Sequence, residues 1–120
     1  MSSKAAITLS TGLEDPEKVT VALLMAVGAV ESGRPTMIFL AKEAVRLAIA
    51  AVARGTACEG CPPLTTLIER YEAAGGQYLV CPICFNAKGL DETQLLANAS
   101  LGGTVPFWEW IGDGATGFSF

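Results

Sequence analysis

Four cysteines and no histidine define the chemistry open to this chain of 120 residues. The cysteines form two C-x2-C pairs, Cys58-Glu59-Gly60-Cys61 and Cys81-Pro82-Ile83-Cys84, in the pattern C-x2-C-x19-C-x2-C. A thiol acts as nucleophile or sulfur carrier only when ionised. Without histidine the chain by itself builds no Ser-His-Asp triad, no Cys-His pair and no histidine-containing metal site. Catalysis must then use cysteine, carboxylates, lysine or backbone dipoles. Cys81 directly precedes Pro82, which places it at the N-cap of a short helical turn. The free amides of Ile83 and Cys84 are then expected to face its sulfur, lower its pKa and hold an anion such as sulfide, sulfite or a persulfide. Cys84, three residues on, is placed to close a disulfide with Cys81.

The same residues admit other readings. The spacing of Cys58, Cys61, Cys81 and Cys84 matches a four-cysteine zinc site of the kind found in loop-borne ribbons. The two pairs can meet if the helix after Cys61 starts at the sheet end where the third strand finishes. A protein of that kind is a non-enzymatic binding or assembly module. Zinc, however, usually staples domains with poor cores, and this chain has a rich one. Free cysteines also serve as small buried hydrophobes, and Cys58 and Cys61 read equally well as a loop pair with no shared role. Finally, Cys81-Pro82-Ile83-Cys84 resembles the CPxC dithiol of glutaredoxins, which leaves a dithiol/disulfide oxidoreductase open. That motif follows the first strand of a thioredoxin fold, whereas this one follows the third.

The elements that carry these cysteines are read from hydrophobic pattern and local stop signals. Ala5 to Leu9 is a short apolar strand closed by Ser10-Thr11-Gly12. Asp15 caps a helix with Pro16 at its first position, running to about Ser32 and stopped by Gly33. Thr36 to Leu40 has the composition of a buried parallel strand. Lys42 to Ala53 has a helical pattern ending at Gly55, and Pro62-Pro63 open a helix through Leu64, Leu67, Ile68 and Tyr71, stopped by Gly75-Gly76. Gln77 to Val80 is the third strand and leads directly to Cys81. A helical turn from Pro82 to Lys88 follows, then a helical stretch capped by Asp91 through Leu95 and Leu96. Ala99 to Leu101 reads as a brief fourth strand, Pro106 as the start of a turn carrying Trp108 and Trp110, and Thr116 to Phe120 as a last strand. Strands alternating with helices predict one domain, residues 1–120, folded as a three-layer α/β/α sandwich with ligands outside the carboxyl ends of the strands.

Composition narrows the partners. Hydrophobic residues make up 51% and charged residues 17%, with a mean hydropathy of +0.43. Such an apolar-rich chain is expected to bury part of its surface against another subunit, and the stretch from Val21 to Val30, apolar on all sides, is the candidate face. The net charge of −4 and the lack of a basic stripe argue against nucleic acid. No apolar run approaches the roughly 20 residues of a membrane span. The start, Met1-Ser2-Ser3-Lys4-Ala5-Ala6, does not read as a signal peptide, so a cytoplasmic location with the cysteines mainly as thiols is expected. The aromatic cluster Phe107-Trp108-Glu109-Trp110 either covers a pocket, binds a partner or completes the core. Glu109 and Asp113 read as solvated surface charges.

Several of these segments together resemble the DsrE/DsrF-like sulfur-relay family. They are the opening strand and long helix from Ala5 to Val30, the strand Thr36 to Leu40, and Ala73-Ala74-Gly75-Gly76-Gln77-Tyr78-Leu79-Val80-Cys81 followed by Gly89-Leu90. The resemblance spans most of the chain and is most distinctive from Leu64 to Leu90. It implies a mainly parallel five-stranded sheet between helices, of the DsrE and flavodoxin-like kind, and assembly into trimers or hexamers. In active members it also implies a persulfide on the cysteine after the third strand, the position of Cys81. Such a carrier, or sulfurtransferase, receives sulfane sulfur from a desulfurase or rhodanese-type donor and passes it to a cysteine of another protein. Cys84 and the Cys58/Cys61 pair depart from the basic one-cysteine pattern and admit disulfide or metal chemistry.

Overall fold

The computed structural model describes residues 3–120; Met1 and Ser2, the start of the segment read against a signal peptide, lie outside them. Strand β1 (Ala5–Leu9) leads to helix α1 (Pro16–Glu31) and strand β2 (Thr36–Leu40). Helix α2 (Leu64–Ala73) precedes β3 (Gln77–Val80), and helix α3 (Pro82–Ala87) follows it at once. The chain closes with β4 (Ala99–Leu101), α4 (Thr104–Ile111) and β5 (Thr116–Ser119). The five strands pair parallel throughout in the order β4-β3-β2-β1-β5.

Alternation along the strands divides the core between the two faces of this sheet. Ile7, Leu9, Ile38, Leu40, Tyr78 and Val80 pack with Val19, Leu23, Val27, Leu64, Leu67 and Tyr71 of α1 and α2. Met37, Phe39 and Leu79 point the other way and meet Phe107 and Trp110 of α4. The result is the expected three-layer α/β/α sandwich. Helix α1 starts where its local chemistry requires. The Asp15 carboxylate accepts the Lys18 amide at 3.2 Å and Pro16 occupies the first turn. Its buried stripe recurs every three or four residues, while Val21, Leu24 and Met25 stay exposed on the opposite side.

Three expectations are corrected. The segment expected as a helix from Lys42 to Ala53 is a tight 3-10 stretch over Lys42–Ala48 only. Ile49 then turns extended and forms an antiparallel bridge with Leu95, supported by hydrogen bonds from Ala50 to Gln94 and from Leu96 to Ala48. A long-range contact thus overrides the local helical pattern. The stretch capped by Asp91 is likewise one 3-10 turn, Glu92–Gln94, because the next residues enter that bridge. Conversely, the turn expected at Pro106 is a full helix that begins two residues earlier. Proline is tolerated in a first turn because the amide it lacks has no helical partner there. Among the described residues, no helix is long and apolar enough to cross a membrane.

Candidate functional site

The carboxyl ends of three neighbouring strands are tied together by backbone hydrogen bonds. Leu40 of β2 stands beside Val80 of β3, which stands beside Leu101 of β4. Beyond that register the Cys81 amide donates to the Leu40 carbonyl at 2.9 Å, and the Ala41 amide donates to the Leu9 carbonyl at 3.0 Å. Cys81 is therefore fixed at the sheet end and serves as the N-cap residue of α3, with Pro82 in the first turn, as expected. Phe85, fully buried, anchors that short helix. Both thiols of the pair are half-buried against the core, and Ile83 between them is 80% exposed, so the pair lies at the surface.

The electrostatics differ from the sequence reading in one respect. The Cys81 side chain makes no capping hydrogen bond with the amides of α3. The thiol held below the usual thiol range is that of Cys84. Foremost among the causes is the Lys42 backbone amide, and its effect outweighs the burial that pushes the other way. The Cys81 thiol, the Lys88 charge and Cys84's own amide add to it.

Lys42 was not legible as a site residue. Its φ is 54°, in the left-handed region that side chains with a β-carbon rarely occupy. Such a conformation costs on the order of 1 kcal/mol or more and persists where its surroundings impose it. Here the Ala41 amide still belongs to the sheet, and the next amide, that of Lys42, is the largest influence lowering the Cys84 pKa. An ion pair joins α3 to the same 3-10 segment, with Lys88 Nζ 3.4 Å from Glu43 Oε1.

Cys58 and Cys61 lie elsewhere and are joined as a disulfide, which corrects the expectation of four resting thiols. The physical reason is a tight turn. The Cys61 amide donates to the Cys58 carbonyl at 3.0 Å, Gly60 takes φ 77°, and the two Cα atoms come within 5.1 Å, inside bridging range. The Cys58 sulfur packs 3.7 Å from Thr20 Oγ1 on α1. The two pairs therefore do not converge. Among the described residues no group of three or more histidine, cysteine, aspartate or glutamate side chains gathers as a metal site.

The aromatic cluster divides its roles. Phe107 stacks on Phe39 with ring centroids 5.2 Å apart, and Trp110 completes the same small core under the cation of Lys4. Trp108 is 70% exposed. Cys81 packs against this small core as well as against the larger one.

A parallel α/β/α sandwich with a free cysteine pair at the carboxyl end of its third strand is the class of protein that these observations define. The chain belongs to the DsrE/DsrF-like family, whose model matches residues 3–120. The fold is similar to that of the ychN protein from E. coli, with a TM-score of 0.79 and 20% identity over 100% of both chains. It is also similar to a Methanobacterium thermoautotrophicum protein of unknown function, MTH1491, with a TM-score of 0.68 and 10% identity over 98% of each chain. A conserved Bacteroides thetaiotaomicron protein of unknown function, BT1422, has a TM-score of 0.68 and 20% identity over 98% of this chain and 95% of its own. No curated protein matches the sequence. Family membership supports a role of the sulfur-relay type in general terms.

Proposed function

We propose that this protein is a small cytoplasmic sulfur carrier that holds sulfane sulfur as a persulfide on Cys81 and passes it to the thiol of a partner protein. The observation that carries the reading is the Cys81–Cys84 pair at the surface of the sheet's carboxyl end, both thiols free and half-buried, with the Cys84 thiol held below the usual thiol range. In a chain without histidine, Cys84 supplies the base. As the Cys81 sulfur attacks the outer sulfur of a donor persulfide, its proton moves to Cys84. A Cys81–sulfur bond forms, the donor's S–S bond breaks and the donor leaves as a thiolate. An acceptor thiolate then attacks the outer sulfur, and Cys81 departs with the electrons of the broken bond.

The partners of this reading are a sulfur-donor protein and a sulfur-acceptor protein, with further copies of the chain as a homo-oligomer, a trimer or hexamer. Self-association is supported by exposed Val21, Leu24 and Met25 on α1 and Phe118 on the edge strand β5. Leu24, Met25 and Phe118 border an open groove of about 420 Å³. The test is intact mass after treatment with thiosulfate or polysulfide. Wild-type protein should gain one sulfur, placed on Cys81 by peptide mapping, and in a Cys84→Ser background the gain should remain and be lost on adding Cys81→Ser; equal gain with and without Cys81 in that background would defeat the proposal. Native mass of the same samples reads the oligomer.

A further inference from the structure

We propose that the Cys58–Cys61 pair is a second, redox-active site. It exchanges its disulfide with external thiols by attack at Cys61, and the buried Thr20 hydroxyl holds the Cys58 thiol that is released. The inference does not rest on the carrier reading, which uses only Cys81 and Cys84. It gives the protein a thiol–disulfide exchange activity whose co-substrate is a thiol/disulfide couple.

Three observations carry it. The first is the turn. The Cys61 amide donates to the Cys58 carbonyl at 3.0 Å and Gly60 takes φ 77°, so the backbone itself holds the two Cα atoms 5.1 Å apart. A pair held in this way stays within bridging range when reduced, and opens and closes without rearranging the fold.

The second is the polarity of the contact with α1. Thr20 is 2% exposed, one of two buried polar side chains among the described residues. Its hydroxyl donates to the Pro16 carbonyl at 2.8 Å, so its one proton is taken and the oxygen presents lone pairs to the Cys58 sulfur at 3.7 Å. A disulfide sulfur has no proton to offer them, whereas a thiol has. The contact becomes a hydrogen bond when Cys58 is reduced, and it then stabilises the neutral thiol.

The third is the asymmetry of the two sulfurs. The contact of Cys58 with Thr20 is partly buried, while the Cys61 sulfur lies 3.8 Å from the Glu59 carbonyl in an exposed contact. Glu59, Gly60 and Pro62 around it are exposed as well. Access helps to decide which sulfur of a disulfide is attacked, and here it favours Cys61.

The exchange balances. An external thiolate gives an electron pair to the Cys61 sulfur, the Cys58–Cys61 bond breaks, and Cys58 leaves with that bond's electrons. Cys58 takes up a proton from solvent and donates it in a hydrogen bond to Thr20. A second external thiolate attacks the external sulfur of the mixed disulfide, and Cys61 leaves as a thiolate. The pair gains two electrons, and the two external thiols lose them in becoming a disulfide. Run in reverse, the reduced pair reduces a disulfide.

Full-length protein equilibrated with mixtures of reduced and oxidised glutathione, quenched in acid, alkylated and digested with trypsin tests the proposal. Cleavage after Arg54, Arg70 and Lys88 puts Cys58 and Cys61 on one peptide and Cys81 and Cys84 on another, so the pairs are read separately. The Cys58/Cys61 peptide should pass from disulfide to dithiol as the share of reduced glutathione rises. Thr20→Val keeps nearly the same shape and deletes the hydroxyl. It should shift this equilibrium about threefold toward the disulfide, the scale of one weak hydrogen bond, or about 14 mV at about 30 mV per tenfold change. Thr20→Ser, which keeps the hydroxyl, should retain the wild-type equilibrium. With Cys81 and Cys84 both replaced by serine, Cys58→Ser should react with an aromatic disulfide about tenfold faster than Cys61→Ser, because access governs the rate. If Thr20→Val does not fold, the wild-type equilibrium and the two single-cysteine rates decide. A pair that stays wholly oxidised or wholly reduced across the glutathione series overturns the proposal. Equal rates for the two single-cysteine variants also overturn it, as does a Thr20→Val equilibrium equal to the wild type or displaced toward the dithiol. Loading of sulfur on Cys81 stands or falls separately from each of these results.

Discussion

The Tyr71 hydroxyl donates to the carbonyl oxygen of Gln77 at 2.6 Å and accepts the amide of the same residue at 3.0 Å. It also lies 3.2 Å from the Thr36 carbonyl, so one phenol joins the end of α2 to the first residues of β2 and β3. Strand β3 delivers Cys81, and this clamp sets where that strand begins. Tyr71→Phe keeps the ring and deletes the clamp. The expected cost is about 1–3 kcal/mol, the penalty of leaving a backbone donor without its partner. Urea unfolding should show a lower midpoint with an unchanged slope.

The same tyrosine makes stability sensitive to alkali. Burial pushes the phenols of Tyr71 and Tyr78 well above the usual tyrosine range, with the neighbouring phenol adding to the effect at Tyr71 and Glu72 adding at Tyr78. The fold therefore favours two neutral phenols, while the unfolded chain ionises them near pH 10. Stability is full below that point and falls as the pH rises past it, by up to about 1.4 kcal/mol per pH unit for each phenol. Unfolding free energies measured from neutral pH upward should decline from about pH 10, and Tyr71→Phe should decline less steeply than the wild type.

Much of this framework was legible because it is written in local chemistry. Asp15-Pro16 opens α1, Pro62-Pro63 precede α2, and apolar runs of strand length mark β1, β2 and β3. What escaped depends on distant partners. Ile49 leaves its helical pattern because Leu95 pairs with it across the chain. The site divides in the same way. Cys81 and Cys84 were visible from their types, their spacing and the strand before them. The influence of the Lys42 amide on Cys84 was not, because nothing in a lysine signals a left-handed backbone.

A tight approach beside Lys42 allows the site to be perturbed without touching a cysteine. A β-carbon added at Gly12, in the loop after β1, would lie 2.7 Å from the Glu43 carbonyl oxygen. Gly12→Ala must therefore displace the turn that carries Lys42, at an overpacking cost of about 1–3 kcal/mol. The expected signature is a slower alkylation of Cys84 at neutral pH in a Cys81→Ser background, with a midpoint moved up toward that of an ordinary thiol. Alkylation rates across pH, compared with Cys81→Ser alone, check this. In that parent the Cys84 thiolate should persist below the usual thiol range and disappear as the pH falls through its lowered pKa.

The Cys58–Cys61 disulfide closes a very short loop, so it removes little freedom from the unfolded chain. The chain-entropy relation puts its contribution at no more than about 2 kcal/mol. The double variant Cys58→Ala/Cys61→Ala should therefore fold, unfold at a modestly lower urea concentration and load sulfur on Cys81 as the wild type does. Loss of loading in the folded double variant would show that the two pairs act together.

The two aromatic neighbours Phe107 and Trp108 should respond in opposite ways to truncation. Phe107 stacks on Phe39 in the small core that also supports Cys81, whereas Trp108 is largely exposed. Removing a buried ring costs about 3–5 kcal/mol, because the space it leaves collapses only in part. Phe107 is only partly buried, so Phe107→Ala should fall short of that range and, by loosening the layer beneath Cys81, speed the reaction of that thiol with a bulky maleimide. Trp108→Ala should stay within about 0.5 kcal/mol of the wild type in the isolated protein, as surface substitutions do. Thermal unfolding and maleimide labelling of the two variants side by side separate a core aromatic from a surface one, and a Trp108→Ala change as damaging as Phe107→Ala would mean that Trp108 is covered in solution.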